Sequence, residues 1–148
     1  MAGPGREAPD LRPADDAWPW PVVARIWRTV DVERTVAQLG LEAEPLVRDE
    51  VLGGQGVLVR PPDGLPTAIL EPFTEGRLAA SLAMNGEGFA GLYLAPPGGL
   101  DEVRRIGESL GPEAPGPFGR SALHGPRHLL DGGPLTVIVE PPPATIDR

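Results

Sequence analysis

Ile69-Leu70-Glu71-Pro72 returns as Ile138-Val139-Glu140-Pro141, 69 residues later. Two further pairs repeat in the same order. Asp31 matches Asp101 at an offset of 70, and Leu39-Gly40 matches Leu110-Gly111 at an offset of 71. Three ordered matches at nearly constant spacing are the mark of an internal duplication. Each half then holds one helix and about four strands. A unit that small cannot bury its sheet alone, so the two halves are expected to share one core.

The pattern between these fixed points supplies the elements. Val22 to Val30 reads as a strand. Asp31 follows as a helix N-cap, Val32, Val36 and Leu39 mark one helical face, and Gly40 ends it. Strands are expected at Pro45 to Leu52, Gln55 to Arg60 and Thr67 to Glu71, separated by Gly53-Gly54 and Pro61-Pro62-Asp63-Gly64 turns. Thr74 to Met84 reads as a helix closed by Asn85-Gly86. The second half runs through a strand at Phe89 to Ala95 and a helix at Leu100 to Leu110, with Val103, Ile106 and Leu110 on one face. Weak strands follow at Phe118 to Leu123 and Arg127 to Leu130, and a strong one at Leu135 to Glu140. Residues 1–20, rich in Pro, Gly and Asp, read as a flexible arm whose Trp18 and Trp20 pin its end to the domain. The domain spans 21–148, with modules at 21–73 and 89–143 and a helical linker at 74–88.

Composition removes several classes of function. The net charge of −8 and pI near 4.7 oppose binding to nucleic acid, which needs a basic surface, and to an anionic membrane. The longest apolar runs, such as Leu135 to Val139, are too short to span a bilayer. Residues 1–20 lack the basic end and apolar stretch of a signal peptide, so a cytoplasmic location is expected. With no Cys, disulfides, thiolate ligands and Cys nucleophiles are excluded. All 13 basic residues are Arg, so Lys Schiff-base chemistry is excluded too.

Two stretches carry a family resemblance over about residues 22 to 141. Val30-Asp31-Val32-Glu33-Arg34-Thr35, running to Leu39-Gly40, is similar to the strand-to-helix passage of vicinal oxygen chelate proteins. Ile69-Leu70-Glu71-Pro72-Phe73-Thr74-Glu75-Gly76, with Leu78-Ala79 and Gly86-Glu87-Gly88, resembles the link between modules in methylmalonyl-CoA epimerase-like members. The chain thus resembles the glyoxalase, bleomycin-resistance and epimerase superfamily. The resemblance implies an α+β fold in which two tandem βαβββ modules form an open, barrel-like cavity. It also implies four inward ligands for a divalent metal, on the first and last strands of each half. Carried onto this chain, the last-strand positions are Glu71 and Glu140. The first-strand positions fall at Arg25 or Ala24 and at Gly91 or Ala90, none of which binds metal. The usual metal centre is therefore expected to be absent, and no cofactor is expected. Loose Mg²⁺ at Glu71 and Glu140 is the remaining option.

On this reading Glu71 and Glu140 are the candidate catalytic residues. Facing one cavity, burial and mutual repulsion would raise at least one carboxyl pKa and give a general acid or base. Each also reads as an ordinary strand-terminal acid reaching solvent. Arg25, Trp27 and Thr29 share one strand face by period two. Gly91 and Tyr93 are taken as the counterparts of Arg25 and Trp27, so Trp27, Tyr93, Arg25 and Thr29 are candidate substrate-binding residues. Packing for Trp27 and surface for Arg25 is the plain alternative. Gly91 would leave room for a ligand. His124 and His128 flank Gly125-Pro126, so a turn with a solvent-facing His is expected there. Asp49-Glu50 and Glu33-Arg34 read as exposed faces, and Gly53-Gly54-Gln55-Gly56 as a hairpin turn.

Two functions fit. One is an isomerase- or lyase-like enzyme that moves a proton on a small organic or natural-product-like substrate without tight metal. It would carry out isomerisation, epimerisation, elimination or cyclisation, with Glu71 or Glu140 as base and Arg25 as oxyanion partner. The other is a binding protein that sequesters a drug or natural product, giving antibiotic resistance. A homodimer is expected by analogy with two-module relatives.

Overall fold

A computed structural model describes residues 20–125 and 134–141. The expected arm, the strand at 127–130 and His128 lie outside these residues, apart from Trp20. Among these described residues eight strands form one sheet: β1 (Val22–Arg28), β2 (Ala43–Pro45), β3 (Gly54–Val59), β4 (Thr67–Pro72), β5 (Gly88–Leu94), β6 (Ala114–Gly116), β7 (Gly119–Leu123) and β8 (Leu135–Val139). Three helices join them: α1 (Val32–Leu39), α2 (Arg77–Asn85) and α3 (Gly99–Arg105). The sheet order is β2-β3-β4-β1-β5-β8-β7-β6. It reads as two βαβββ modules related by a pseudo-two-fold between β1 and β5, curled into a half-barrel.

The duplication fixes this topology. β1 runs parallel to β4, β5 runs parallel to β8, and β1 and β5 are antiparallel. Each parallel pair needs a crossover helix, supplied by α1 and α3. Asp31 caps α1 by accepting a hydrogen bond from the Arg34 N–H at 3.1 Å, and Gly40 ends it at φ 70°. Such a cap contributes about 1 kcal/mol.

The register defines the pseudo-symmetry better than the sequence matches do. Arg25 pairs with Thr67, and Leu92 pairs with Thr136. Since Thr67 and Thr136 are 69 apart, Arg25 corresponds to Leu92, an offset of 67. The β1–β5 ladder obeys the same offset. Ala24 pairs with Tyr93 and Ile26 with Gly91, while Val22 pairs with Leu94 and Trp27 with Phe89. Each pair maps onto the other, and the two irregularities, at Val23 and Ala90, map onto each other as well. Tyr93 is therefore the counterpart of Ile26, and Trp27 that of Leu94. The expected Trp27–Tyr93 and Arg25–Gly91 correspondences are off by one, which reverses the face.

Two apolar clusters follow from these faces. The inner one holds Ala24, Ile26, Ala68, Leu70, Ala90, Tyr93, Leu135, Val137 and Val139 on the sheet, closed by Leu52 and by Leu78 of α2. The outer one, under α3, holds Trp20, Leu92, Leu94, Leu100, Val103, Ala122 and Ile138.

Two expected elements differ. The second module's helix stops at Arg105, where Gly107 takes φ 85°. Ile106 is left exposed, and Leu110 forms a bridge with His124. Asp101 and Leu110-Gly111 are thus not the structural counterparts of Asp31 and Leu39-Gly40. The strand expected from Pro45 to Leu52 is only β2, because the chain turns inward after Leu46 to bury Asp49 and Leu52.

Candidate ligand site

Glu71 and Glu140 sit on the outer, helix-covered face. Glu71 shares its side of β4 with Thr67 and Ile69, and Oε1 accepts the Val32 N–H of α1 at 3.0 Å. Glu140 follows Ile138, and Oε1 accepts the Leu100 N–H of α3 at 3.0 Å. Each carboxylate therefore satisfies a first-turn donor of its own module's helix. β4 and β8 run in opposite directions with two strands between them. Their ends lie at opposite edges, roughly 14 Å apart across three strand spacings. The structure does not bring the two carboxylates together, in a cavity or around an ion.

Arg25 is buried on the same outer face. Its guanidinium bonds Thr67 Oγ1 at 3.1 Å and Leu65 O at 3.3 Å, and pairs with Asp63. It is neither a surface residue nor aimed at the inner face. Thr29 Oγ1 lies 2.8 Å from Thr35 Oγ1 and 2.9 Å from Glu87 Oε2. Trp27 is half-buried on the outer face beneath α1, whereas Tyr93 is buried on the inner face. The expected facing pair of aromatics does not form. Gly91 does not make room for a ligand either. A Cβ there would fall 1.8 Å from Leu135 O, so glycine permits the close approach of β8.

The inner face holds a residue that the sequence reading placed at the surface. Asp49 is 0% exposed. Its Oδ1 accepts the Leu52 N–H at 2.8 Å and its Oδ2 accepts the Tyr93 hydroxyl at 2.7 Å. Burial pushes the Asp49 carboxyl up from its ordinary range, against the hydrogen bonds from Tyr93 and Leu52. Burial, reinforced by the Asp49 charge, pushes the Tyr93 phenol well up. Phe118 packs edge-on to Tyr93, centroids 4.8 Å apart. Only the turn at Gly53 (φ 77°) could have hinted that the chain folds Asp49 inward.

An open pocket of about 430 Å³ lies on the outer face of the first module. Trp27, Leu39, Leu41, Val59, Pro61 and Ile69 form its apolar walls. Thr35, Gln38, Thr67 and Glu87 supply polar groups. Glu87 Oε2 accepts from the Val30 N–H and Thr29 Oγ1, each at 2.9 Å, and pairs with Arg34. The Val30 and Thr29 bonds, chiefly the first, hold the Glu87 carboxyl below its ordinary range. His124, one of the two histidines of the expected turn, is half-buried, with Nε2 2.8 Å from Glu108 Oε1.

Solved structures share this architecture. Methylmalonyl-CoA epimerase from Streptomyces coelicolor, in complex with 2-nitronate-propionyl-CoA, superposes with a TM-score of 0.61 at 21% identity, covering 82% of this chain and 98% of that one. The chain has the glyoxalase-like fold of this neighbour. Methylmalonyl-CoA epimerase from Mycobacterium tuberculosis gives 0.64 at 21% identity, with coverage of 82% and 88%. A hypothetical protein from Bacillus halodurans gives 0.63 at 17% identity, with coverage of 88% and 100%. No family model and no curated protein matches the sequence.

The metal centre implied by a glyoxalase-like fold does not fit these residues. The inward-facing candidates on the first strands are Ala24 and Ala90, and those on the last strands are Ala68, Leu70, Val137 and Val139. None of these side chains carries a donor atom. Among the described residues no three His, Asp or Glu side chains are grouped to hold an ion.

Proposed function

We propose that this protein binds a small apolar organic molecule without transforming it, in the pocket between α1 and the outer face of the first module. The pocket carries the reading. Its volume lies within the span of about 300–1,000 Å³ usual for ligand sites, and its composition, apolar walls with a few polar groups, is the usual one. The uses made of the expected bases agree with it. Glu71 and Glu140 cap helices, and Arg25 is held by Asp63 and Thr67. The homodimer and the cytoplasmic location are part of the same proposal, and sequestration of a toxic compound is its natural physiological use.

One observation favours a second reading. Asp49 is a buried carboxyl with a raised pKa beside a phenol, a combination suited to proton transfer. Methylmalonyl-CoA in D₂O separates the two readings. With a binding protein the substrate C–H exchanges no faster than in buffer alone, whereas protein-dependent deuterium uptake, lost in Asp49→Asn, would replace binding by catalysis.

A further inference from the structure

The two modules treat the same space differently, and the difference describes the ligand. At the β1–β5 offset of 67, Glu87 is the counterpart of Trp20. The backbone agrees: Ala95 N–H donates to Pro21 O at 2.9 Å, mirroring the Arg28–Gly88 pair. In the second module the Trp20 indole fills the outer face under α3, packed with Leu92, Leu94, Leu100 and Val103. It lies edge-on to His124 at 6.0 Å. Its N–H donates to Glu102 Oε2 at 3.1 Å.

Several of these neighbours have their images on the wall of the first-module pocket or beside it. Trp27 and Ile69 stand where Leu94 and Ile138 do. Val59 pairs with Thr67, and the His124 N–H donates to Thr136 O at 2.8 Å, so Val59 stands where His124 does. The helix caps align Val32 with Leu100, which sets Arg34 where Glu102 is. The place of the indole falls to Glu87, whose carboxylate turns to Arg34, Thr29 and the Val30 N–H. An aromatic ring fills one copy of the space, and among the described residues no side chain fills the other.

We propose that the first-module pocket binds a neutral, planar aromatic molecule of two or three fused rings, stacked on Trp27 in the place that Trp20 occupies in the second module. The inference rests on the pocket being the ligand site. Trp27, half-buried on its wall, supplies an aromatic ring where the second module has Leu94. Glu87 and Arg34 neutralise each other at the rim, so neither charge on a ligand is favoured. The two fused rings of an indole fill the second module's copy, and a volume of about 430 Å³ admits two fused rings or three.

Isothermal titration with 2-naphthol and its saturated analogue decahydro-2-naphthol tests this, with 2-naphthoate and 1-naphthylmethylamine as charged controls. The wild type should bind 2-naphthol at one site, about fivefold tighter than the saturated analogue, as stacking predicts. The charged analogues should bind no tighter. Trp27→Leu, which installs the second module's residue, should remove the aromatic preference. Glu87→Trp, which installs the indole itself, should weaken binding of 2-naphthol at least tenfold. Equal binding of the aromatic and saturated compounds overturns the inference but leaves the pocket as the ligand site. Absence of binding by both overturns the pocket as well. Wild-type affinity in folded Glu87→Trp overturns the location. If thermal unfolding shows Glu87→Trp to be misfolded, Trp27→Leu decides, and an unchanged aromatic preference refutes the stacking.

Discussion

Replacing Tyr93 by Phe removes one hydroxyl from a place where nothing can replace it. The phenol donates to Asp49 Oδ2 at 2.7 Å, and both residues are 0% exposed. Loss of a hydrogen bond to a charged group costs about 1.5–3 kcal/mol when the partner stays buried. For a chain of this size that corresponds to a midpoint lowered by roughly 3–12 °C. The cost should depend on pH. Asp49 has a folded pKa raised by burial. Its effect on stability is therefore most favourable below the ordinary Asp value of about 4 and declines as pH rises through the raised folded value. The Tyr93 bond holds that pKa down, so its loss raises it further and deepens the penalty at high pH. Urea unfolding of wild type and Tyr93→Phe at pH 5 and pH 8 should show the larger difference at pH 8. Equal stability at pH 8, or a difference that grows on acidification, would refute the account of this pair.

Glu71→Ala and Glu140→Ala should each lower stability by about 1 kcal/mol through lost helix capping, with ligand affinity unchanged by titration calorimetry; a loss of binding without a loss of stability would restore them as site residues. Gly91→Ala should destabilise by about 3 kcal/mol or more, because its Cβ would meet Leu135 O at 1.8 Å, and a near-normal melting curve would contradict the strand spacing. Elemental analysis of dialysed protein should find no stoichiometric Zn, Ni, Co or Fe, since the inward positions of the first and last strands carry Ala, Leu and Val in place of donors; one equivalent of any of them would overturn that. Light scattering should give twice the 15.6 kDa chain mass, and a monomer at micromolar concentration would dispose of the homodimer.

The sequence carried the architecture because duplication, caps and turns are local signals. Asp31, Gly40 and the Ile-x-Glu-Pro repeats mark α1, β4 and the end of β8 in any context. The site was harder to read because facing depends on single residues. The irregularities at Val23 and Ala90 change the pairing by one position, and an offset of 67 rather than 66 separates Ile26 from Trp27 as the counterpart of Tyr93. Period-two reasoning assumes a regular strand and does not register such a step. Glu71 and Glu140 were recognisable as a symmetric pair, but their role depends on which face their strands give to α1 and α3. Asp49 was missed because an acid beside Glu50 near the end of an expected strand reads as part of an exposed face. Only the turn through Leu52 and Gly53 carries it under Tyr93.

Amide NMR mapping tests the location of the ligand most directly. On titration with 2-naphthol, the largest shifts should cluster at Trp27, Gln38, Val59, Ile69 and Glu87, with Ala24, Ala68 and Val137 little affected. Shifts centred on Ala24, Ala68, Asp49 and Val137 would place the ligand inside the half-barrel and contradict the outer-face site.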